Sequence, residues 1–267
     1  CSPHLRSPRV DRTSSRQPIR TQSRKTLCAI WTDCNMTQVE TQYGLVIPYD
    51  KTLEELIQLT KEKAPLCWTA YTALAQNDSD KIISVFEILL ENKDWTHIRS
   101  TIEAIGKNKY GLQFENSLID FLNSPNTFIV TSSIKALANL RSEKSHNKIK
   151  ALIDSEILEI KQTAIEGISK LWQSVDFDFL IEIDKNTANE NIRKTIGFVL
   201  AEHIDNDNWK LFFEHYCKDT ISRHREWSLI CANQFSNDKT FLDLFLNDSD
   251  GHIRKKANKF KEQINCT

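Results

Sequence analysis

The sequence predicts an all-α protein, a right-handed α-solenoid built from about seven helix pairs. Three observations indicate this fold. An amphipathic helical pattern recurs at a nearly constant spacing along the 267 residues. A second helical pattern precedes each copy. Only six glycines and six prolines are present, which favours helices over turn-rich β folds.

The first 35 residues differ in composition from the rest of the chain. They carry seven basic and two acidic side chains and show no hydrophobic period, so we expect residues 1–35 to be disordered. Met36 is the only methionine, and we expect the natural start there, with 36–50 as a lead-in. A transit peptide or a basic arm is the alternative. Without residues 1–35 the net charge is −6, compared with −1 for the whole chain.

The recurring pattern, named the B helix, is illustrated by residues 94–107. There Ile98, Ile102 and Ile105 lie three or four positions apart, as on one helical face. The central apolar residues of the seven copies are Tyr71, Ile102, Ile134, Ile165, Ile196, Leu229 and Ala257. The steps between them are 31, 32, 31, 31, 33 and 28 residues. A period this regular indicates a repeat architecture.

Each B helix follows a second amphipathic pattern, named the A helix. Short segments of Asn, Asp and Ser separate the helices and supply natural N-caps. The repeat domain therefore covers 51–267, with repeats at about 52–77, 80–107, 111–140, 146–172, 176–204, 207–235 and 238–264. Because one pair cannot bury its apolar face alone, the pairs should stack. We expect the A helices on the convex side and the B helices along the concave side.

The ends of the array and the cysteines also carry information. The first repeat is the least regular and the last B helix is lysine-rich, so both should act as caps. The seven cysteines are scattered and include no CxxC pair, which favours a reducing compartment. No apolar run approaches the roughly 18 residues of a membrane span. We therefore expect a cytoplasmic protein without a membrane partner, or an organellar one if residues 1–35 are a transit peptide.

The repeat contains a recognisable residue pattern, in which an Asp or Asn precedes Ile-Arg and then small and aliphatic residues. It is carried by Asp94, Ile98, Arg99, Ala104, Ile105 and Gly106. It recurs as Asn189, Ile192, Arg193 and Ile196, and again as Asp250, Ile253, Arg254 and Ala257. Across roughly residues 50–264 the chain resembles HEAT repeats, particularly the short HEAT-like version of phycobilisome lyases. The resemblance implies an armadillo-type α-solenoid, but fold does not fix function.

One face of the B helices is the candidate binding surface. Positions three before, one after and five after each central residue share a helix face, and they form three rows along the array. We predict that this concave surface binds a protein partner through Trp68, Arg99, Glu103, Lys135, Glu166, Arg193, Glu226 and Arg254. Alternatively, the arginines form structural ladders to acidic residues of adjacent repeats. Arg99 also has Glu103 and Lys107 at i, i+4 spacing.

Four tryptophans recur near the repeat boundaries: Trp68, Trp95, Trp209 and Trp227. Tryptophan is a common interface anchor, and it also fills space between stacked helices. We predict fillers, with the exception of Trp68, which lies on the outward row of the first B helix.

Nucleic-acid binding is not predicted. It requires a concentrated excess of Lys and Arg, but the three rows hold six basic residues against four acidic ones. One segment, from Trp172 to Asp176, resembles the Trp-x-Ser-Val-Asp segment of helical-repeat alkylpurine DNA glycosylases. The resemblance implies that the aspartate supports positive charge developing on the sugar. Arg193 and Phe198 are the nearest candidates for further groups, but their spacing to Asp176 is shorter than in that family. We expect Asp176 to serve as an N-cap instead.

The sequence contains little evidence for a metal site or for catalytic residues. The one loose metal-ligand cluster is His203, His215, Cys217 and His224, and the spacing of His215 and Cys217 suits joint ligation poorly. The His-Glu pairs of HEAT-like iron hydroxylases are absent from the sequence, as are GxSxG, P-loop and GxGxxG motifs. Phycobilin lyase activity is implied by resemblance alone. We predict no catalytic residue, metal or cofactor.

The function that the sequence favours is a non-catalytic scaffold or adaptor that binds a protein partner through the B-helix surface. One alternative is an enzyme, either glycosylase-like or phycobilin-lyase-like, that uses the same groove. Another is a regulatory module that originally stood beside other domains.

Overall fold

The protein consists of α-helices and one short β-ribbon in the residues that a computed structural model describes, 39–40 and 46–265. The predictions for residues 1–35 and for a start at Met36 lie outside these ranges. The ribbon pairs β1 (Val39–Glu40) with β2 (Val46–Ile47) in antiparallel register. The helices are α1 (Leu53–Thr60), α2 (Leu66–Ala75), α3 (Ile82–Leu90), α4 (Trp95–Ile105), α5 (Glu115–Phe121), α6 (Thr127–Asn139), α7 (His146–Ala151), α8 (Leu158–Lys170), α9 (Asp176–Asn186), α10 (Glu190–Glu202), α11 (Trp209–Tyr216), α12 (Ser222–Phe235), α13 (Asp243–Leu246) and α14 (Gly251–Asn265).

The helices form seven consecutive pairs. Each odd-numbered A helix packs against the B helix that follows it, and each B helix packs against the next B helix from α2 to α14. Helix pairs that contact mainly their neighbours along the chain define a solenoid. The predicted all-α, HEAT-like solenoid of about seven helix pairs is therefore confirmed.

The A helices are shorter and less regular than predicted. Short 3₁₀ turns at Gly111–Phe114 and Thr240–Leu242 precede α5 and α13. In the fourth repeat the A helix α7 ends at Ala151, and a 3₁₀ turn, Leu152–Asp154, follows it. Ile149 and Ile153, four positions apart, are both buried in the core, as the helical period predicts.

Several helix starts are set by the polar residues predicted as caps. The Thr52 hydroxyl accepts a hydrogen bond from the Glu55 N–H at 3.2 Å, and the Glu55 carboxylate accepts one from the Thr52 N–H at 2.9 Å. This reciprocal pair is a capping box. The side chains of Asp94, Asn126 and Asn189 cap α4, α6 and α10 without a reciprocal bond. Each accepts hydrogen bonds from backbone N–H groups of the first turn.

The core runs along the stacked pairs. Six of the seven central B-helix residues are fully buried and the seventh, Tyr71, is 5% exposed. One continuous cluster of buried side chains extends from Leu56 in α1 to Cys231 in α12. A smaller cluster holds the last pair against α12, through residues such as Phe245 and Ile253. The repeat period thus places one apolar side chain per pair at the centre of the core.

Both ends of the array are covered. At the first end, β2 packs against α2 and buries Ile47, so a ribbon reinforces the cap predicted for the first repeat. At the other end, α14 turns Ile253 and Ala257 inward and leaves Lys255 and Lys259 exposed. Within the ranges given above, none of the helices has the length and apolar character needed to cross a membrane.

Candidate interaction surface

The three rows on the B helices form an exposed surface that is more open in the first half of the array. Trp68, Lys135, Glu166 and Arg254 are exposed, and Arg99 and Glu103 are half-buried. By contrast, the Arg193 side chain is 20% exposed and that of Glu226 is 8% exposed. The predicted binding residues therefore fall into two groups, one with side chains accessible to a partner and one with side chains buried in contacts within the protein.

An aromatic patch lies at the open part of this surface, and we define it as Trp95, Phe128 and Arg99. The rings of Trp95 and Phe128, on adjacent helices α4 and α6, stack with centroids 5.2 Å apart and planes 16° apart. The Arg99 guanidinium carbon lies 5.6 Å from the centre of the Phe128 ring. Trp68, on the preceding B helix, is 61% exposed, whereas Trp95 and Phe128 are 40% and 43% exposed. Large apolar rings exposed together mark interaction sites.

The first turn of each helix positions the two stacked rings. The Asp94 carboxylate accepts a hydrogen bond from the Thr96 N–H, and the Asn126 side chain accepts one from the Phe128 N–H, both at 2.9 Å. These caps fix where α4 and α6 begin and therefore where the side chains after them project. Trp95 and Phe128 lie seven and six positions before their central residues. They thus occupy the ends of adjacent helices.

The structure corrects the interpretation of one tryptophan. Trp95 was predicted to fill space between helices, but its ring is 40% exposed. It is the first residue of α4 and lies at the end of the helix. Trp209 and Trp227 are half-buried and pack against the core, as fillers do. The exposure of Phe128 was not predicted from the sequence. The feature that could have indicated it is a large apolar residue two positions after the capping Asn126, outside the apolar period of its helix.

A hydrogen-bonded link fixes Arg99 within the patch. Its Nε donates to Glu103 Oε1 at 2.9 Å, and Ser132 Oγ on the next B helix donates to the same oxygen at 3.1 Å. The predicted i, i+4 pair of Arg99 and Glu103 is present, and it also joins two repeats. Lys107 and Lys135 are exposed, and in the described ranges neither takes part in an ion pair. Their ammonium groups therefore face solvent.

Arg193 belongs to a buried ionic network, as the structural-ladder alternative predicted. Its guanidinium donates to Asp184 Oδ2 at 3.1 Å and also to Asp219, which lies in the turn between α11 and α12. His215 lies 2.7 Å from the same Asp184 oxygen. Burial alone would lower the pKa of Arg193, but its bonds to the two carboxylates raise it. The network joins the fifth and sixth repeats and withdraws Arg193 from the surface.

His224 and Tyr216 complete the apolar side of this network. Both side chains are fully buried, and their rings lie 4.4 Å apart. Gly197 makes room for His224, because a Cβ at that glycine would stand 2.4 Å from His224 Nε2. Burial lowers the pKa of His224 despite the nearby carboxylates of Asp219 and Asp184. The imidazole is thus held as a neutral ring in the core.

Glu226 is also buried rather than presented to a partner. Its carboxylate contacts Lys256, Arg223 at 2.6 Å and His252 at 3.3 Å. Burial alone would raise the pKa of Glu226, but its contact with Lys256 and the other cations lowers it. Arg254, although exposed, donates to the backbone carbonyls of residues 248 and 249. The contacts of Glu226 with Lys256 and His252 join the last two repeats, whereas the Arg254 bonds lie within the last repeat.

Asp176 is a buried ion-pair partner and not the predicted N-cap. Helix α9 begins at Asp176 itself, and its carboxylate accepts hydrogen bonds from His146 Nε2 at 2.8 Å and from Lys150 at 2.9 Å. The Gln173 N–H donates to it as well, at 2.9 Å. Burial alone would raise the pKa of Asp176, but these bonds hold it below its ordinary value. With no exposed atoms, this carboxylate has no path to a sugar ring.

The histidines and cysteine of the loose cluster are not brought together. His203 stacks on Trp172 with ring centroids 3.9 Å apart, whereas His215 binds Asp184 and His224 is buried beside Tyr216. Cys217 is half-buried, and burial raises the pKa of its thiol. In the part of the chain that the structure describes, no three His, Cys, Asp or Glu side chains are grouped so that they could hold a metal ion.

Comparisons with known proteins relate the chain to other repeat structures. No protein-family model and no curated protein matches the sequence. Similar solved structures include the complex of CpcE and CpcF of phycocyanin lyase from Nostoc sp. PCC7120, with 13% identity, coverage of 79% of this chain and 81% of that chain, and a TM-score of 0.39. An engineered protein has 15% identity, coverage of 80% and 96%, and a TM-score of 0.33. A designed armadillo repeat protein in complex with the peptide (KR)4 has 15% identity, coverage of 79% and 99%, and a TM-score of 0.36. Identities this low carry no function from those proteins to this chain.

Proposed function

We propose that this chain is a non-catalytic scaffold that binds a partner protein through the exposed face of its B helices. The observation that carries the proposal is the aromatic patch. Trp95 and Phe128 stack on adjacent B helices while remaining 40% and 43% exposed, and Trp68 on the preceding B helix is 61% exposed. Full burial of such a ring contributes about 1.5–3 kcal/mol relative to full exposure, and these rings are between 40% and 61% exposed, so roughly half of that free energy is still available at each. A partner that covers them recovers this free energy.

The helix packing supports a concave shape for this face. Consecutive B helices pack against each other along the whole array, whereas consecutive A helices beyond α1 and α3 make fewer contacts. In a curved stack, the more closely packed layer lies on the inside. A concave groove lined by α2, α4, α6 and α8 would let one extended partner contact several repeats together.

The predicted binding residues divide accordingly. We assign partner contacts to Trp68, Arg99, Lys135 and Glu166, and to Trp95 and Phe128, which the sequence analysis did not propose for this role. Arg193 and Glu226 act in this proposal as supports that connect repeats. The burial of Asp176 counts against the glycosylase alternative, since that chemistry requires the carboxylate to reach its substrate.

A capture experiment tests this function with charge-reversed variants of the full chain. The test variant changes Arg99, Lys107 and Lys135 to Glu. Arg193 is left intact because its removal would disrupt a buried network. The control variant reverses exposed lysines beside or on A helices, namely Lys81, Lys148 and Lys210. Circular dichroism verifies that all three proteins are folded.

We expect the parent chain and the control variant to retain the same protein from a native lysate, and the test variant to lose it. Equal retention by all three proteins would contradict the assignment of the B-helix face. If the parent retained only nucleic acid or a pigment, the scaffold function itself would be wrong, and the enzymatic alternatives would take its place.

A further inference from the structure

A positively charged strip runs along the same B helices that carry the aromatic patch. In the first three repeats, the three rows contain Arg99, Lys107 and Lys135 and a single carboxylate, that of Glu103. Glu103 already accepts hydrogen bonds from Arg99 and from Ser132. The strip therefore has a surplus of positive charge, although the chain without residues 1–35 carries a net charge of −6.

The acidic residue at the edge of the patch is also engaged. The Asp94 carboxylate accepts hydrogen bonds from the Thr96 N–H and from its hydroxyl, at 2.9 and 2.8 Å. These bonds lower the pKa of Asp94 and fix its charge at the start of α4, where the helix dipole compensates it. The ammonium groups of Lys107 and Lys135, in contrast, face solvent.

From this juxtaposition of exposed rings and solvent-facing cations, we propose that the face binds an acidic peptide segment that carries aromatic or aliphatic anchor side chains. The proposal rests on the function proposed above and specifies the chemistry of the partner. Apolar anchors would pack on Trp68, Trp95 and Phe128 and exclude water from them. Carboxylates of the segment would lie near Lys107 and Lys135.

The geometry gives each group a separate role in recognition. Arg99 is held by Glu103 and lies over the Phe128 ring, so it braces the aromatic surface and keeps one positive group beside it. The two lysines have flexible stems and can follow carboxylates at different positions. Like charges across an interface are unfavourable, so a basic segment with the same apolar anchors should be rejected.

Three synthetic peptides test the chemistry by fluorescence anisotropy with the full-length chain. In the first, Asp and Glu alternate with Leu and Phe. The second keeps the Leu and Phe residues and replaces every acidic residue with Lys or Arg. The third keeps the acidic residues and replaces Leu and Phe with Ser and Gly. We expect the first peptide to bind at least about tenfold more tightly than either of the others. Its affinity should fall as salt is raised, because exposed charges are screened.

Matched variants test the location. Changing both Trp95 and Phe128 to Ala should weaken the first peptide by about tenfold or more, since exposed aromatic anchors dominate such interfaces. Changing Lys107 and Lys135 to Gln should weaken it and remove most of its salt dependence, because the attraction that salt screens is lost. As a control, Ile88 and Leu211 are exposed on A helices, and changing both to Ala should leave the affinity unaltered.

The outcomes distinguish this proposal from the general scaffold function. Equal binding of the acidic and basic apolar peptides, equal losses in test and control variants, or no binding of the first peptide would each overturn the proposed partner chemistry. In any of these cases, a protein that the parent captures and the B-helix variant loses would still support the scaffold function. Loss of both results would reject both proposals.

Discussion

Charged residues in this solenoid act mainly as connectors between repeats. Asp176 joins His146 and Lys150 of the preceding A helix, and Arg193 joins acidic residues of its own repeat and the next. A buried charge costs much free energy unless it is paired. The pairing of Asp176 is not predictable from the local sequence, because His146 and Lys150 lie 30 and 26 positions before it.

Removal of the Asp176 carboxylate should destabilise the protein strongly. Asp176→Ala leaves His146 and Lys150 without their buried partner, so we expect the free energy of unfolding to fall by about 3–5 kcal/mol. Asp178→Ala, at an exposed position of the same helix, should change it by less than about 0.5 kcal/mol. Guanidinium unfolding followed by circular dichroism measures both values. Equal effects in the two variants would show that the buried triad adds no stability.

The buried His224 should make stability depend on pH. Burial lowers its pKa in the folded state relative to 6.5, the ordinary value. As pH falls below that value, the unfolded chain gains a proton before the folded chain does, and the free energy of unfolding decreases. Above it the ring is neutral in both states and contributes no slope. His203, whose pKa burial also lowers, adds to the effect in the same direction.

The measurement is urea unfolding at several pH values between about 7.5 and 5. We expect the parent to lose stability over this range. The variant His224→Gln should lose less, since one of the two contributing groups is gone. A parent whose stability is constant over the range, or a variant that follows the same curve as the parent, would contradict this account of His224.

Among the individual elements, the B helices were the most predictable, because their apolar residues recur with the helical period. The period identified every B helix, since each central residue is buried in the core. The A helices were less predictable where 3₁₀ turns carry the chain, as at Leu152–Asp154. There the period accounts for the burial of Ile149 and Ile153, but it does not show where the α-helix ends and the 3₁₀ turn begins.

The close approach of α4 and α6 depends on Gly106. A Cβ at this position would lie 2.6 Å from the Cα of Ala136, so Gly106→Ala forces the two helices apart. We expect this change to lower the free energy of unfolding by about 1–3 kcal/mol. Gly251 begins α14, and a Cβ there would come no closer than 3.4 Å, to the flexible Arg254 side chain. Gly251→Ala should therefore have little effect or stabilise slightly.

Chemical unfolding of the two glycine variants, compared with the parent chain, provides the check. A similar change in both variants would mean that the α4–α6 contact is not a tight one.

For the whole molecule, the regular period and the few glycines and prolines were sufficient to predict an α-solenoid of about seven pairs. The location of the B-helix rows was predictable too, because it follows from helix geometry. Which members of the rows are exposed was not, since Glu226 and Arg193 are withdrawn by partners 26 to 30 residues away. Trp95 and Phe128 were missed as a pair because their stacking depends on how two repeats align.

Stability should be graded along the array. The main core extends continuously from α1 to α12, whereas the last pair is held by a smaller cluster. In a repeat array, terminal units with fewer neighbours open more easily. We expect amide hydrogens of α13 and α14 to exchange fastest among the described helices, and those of α6 and α8 slowest. Phe245→Ala should accelerate exchange in the last pair without affecting α4 to α8. Uniform protection along the chain would contradict this description.

The central claim is that partners bind on the B-helix face, and site-specific photocrosslinking tests it most directly. A photoreactive amino acid is placed at Lys135 or Gln162 on B helices, and at Glu87 or Asp120 on A helices, in the full chain within native lysate. All four positions are at least partly accessible, so reactivity alone should not favour one set. We predict a discrete crosslinked protein from positions 135 and 162, and none from positions 87 and 120. The same crosslinked protein from the A-helix positions alone would contradict the claim and move the interaction to the opposite face.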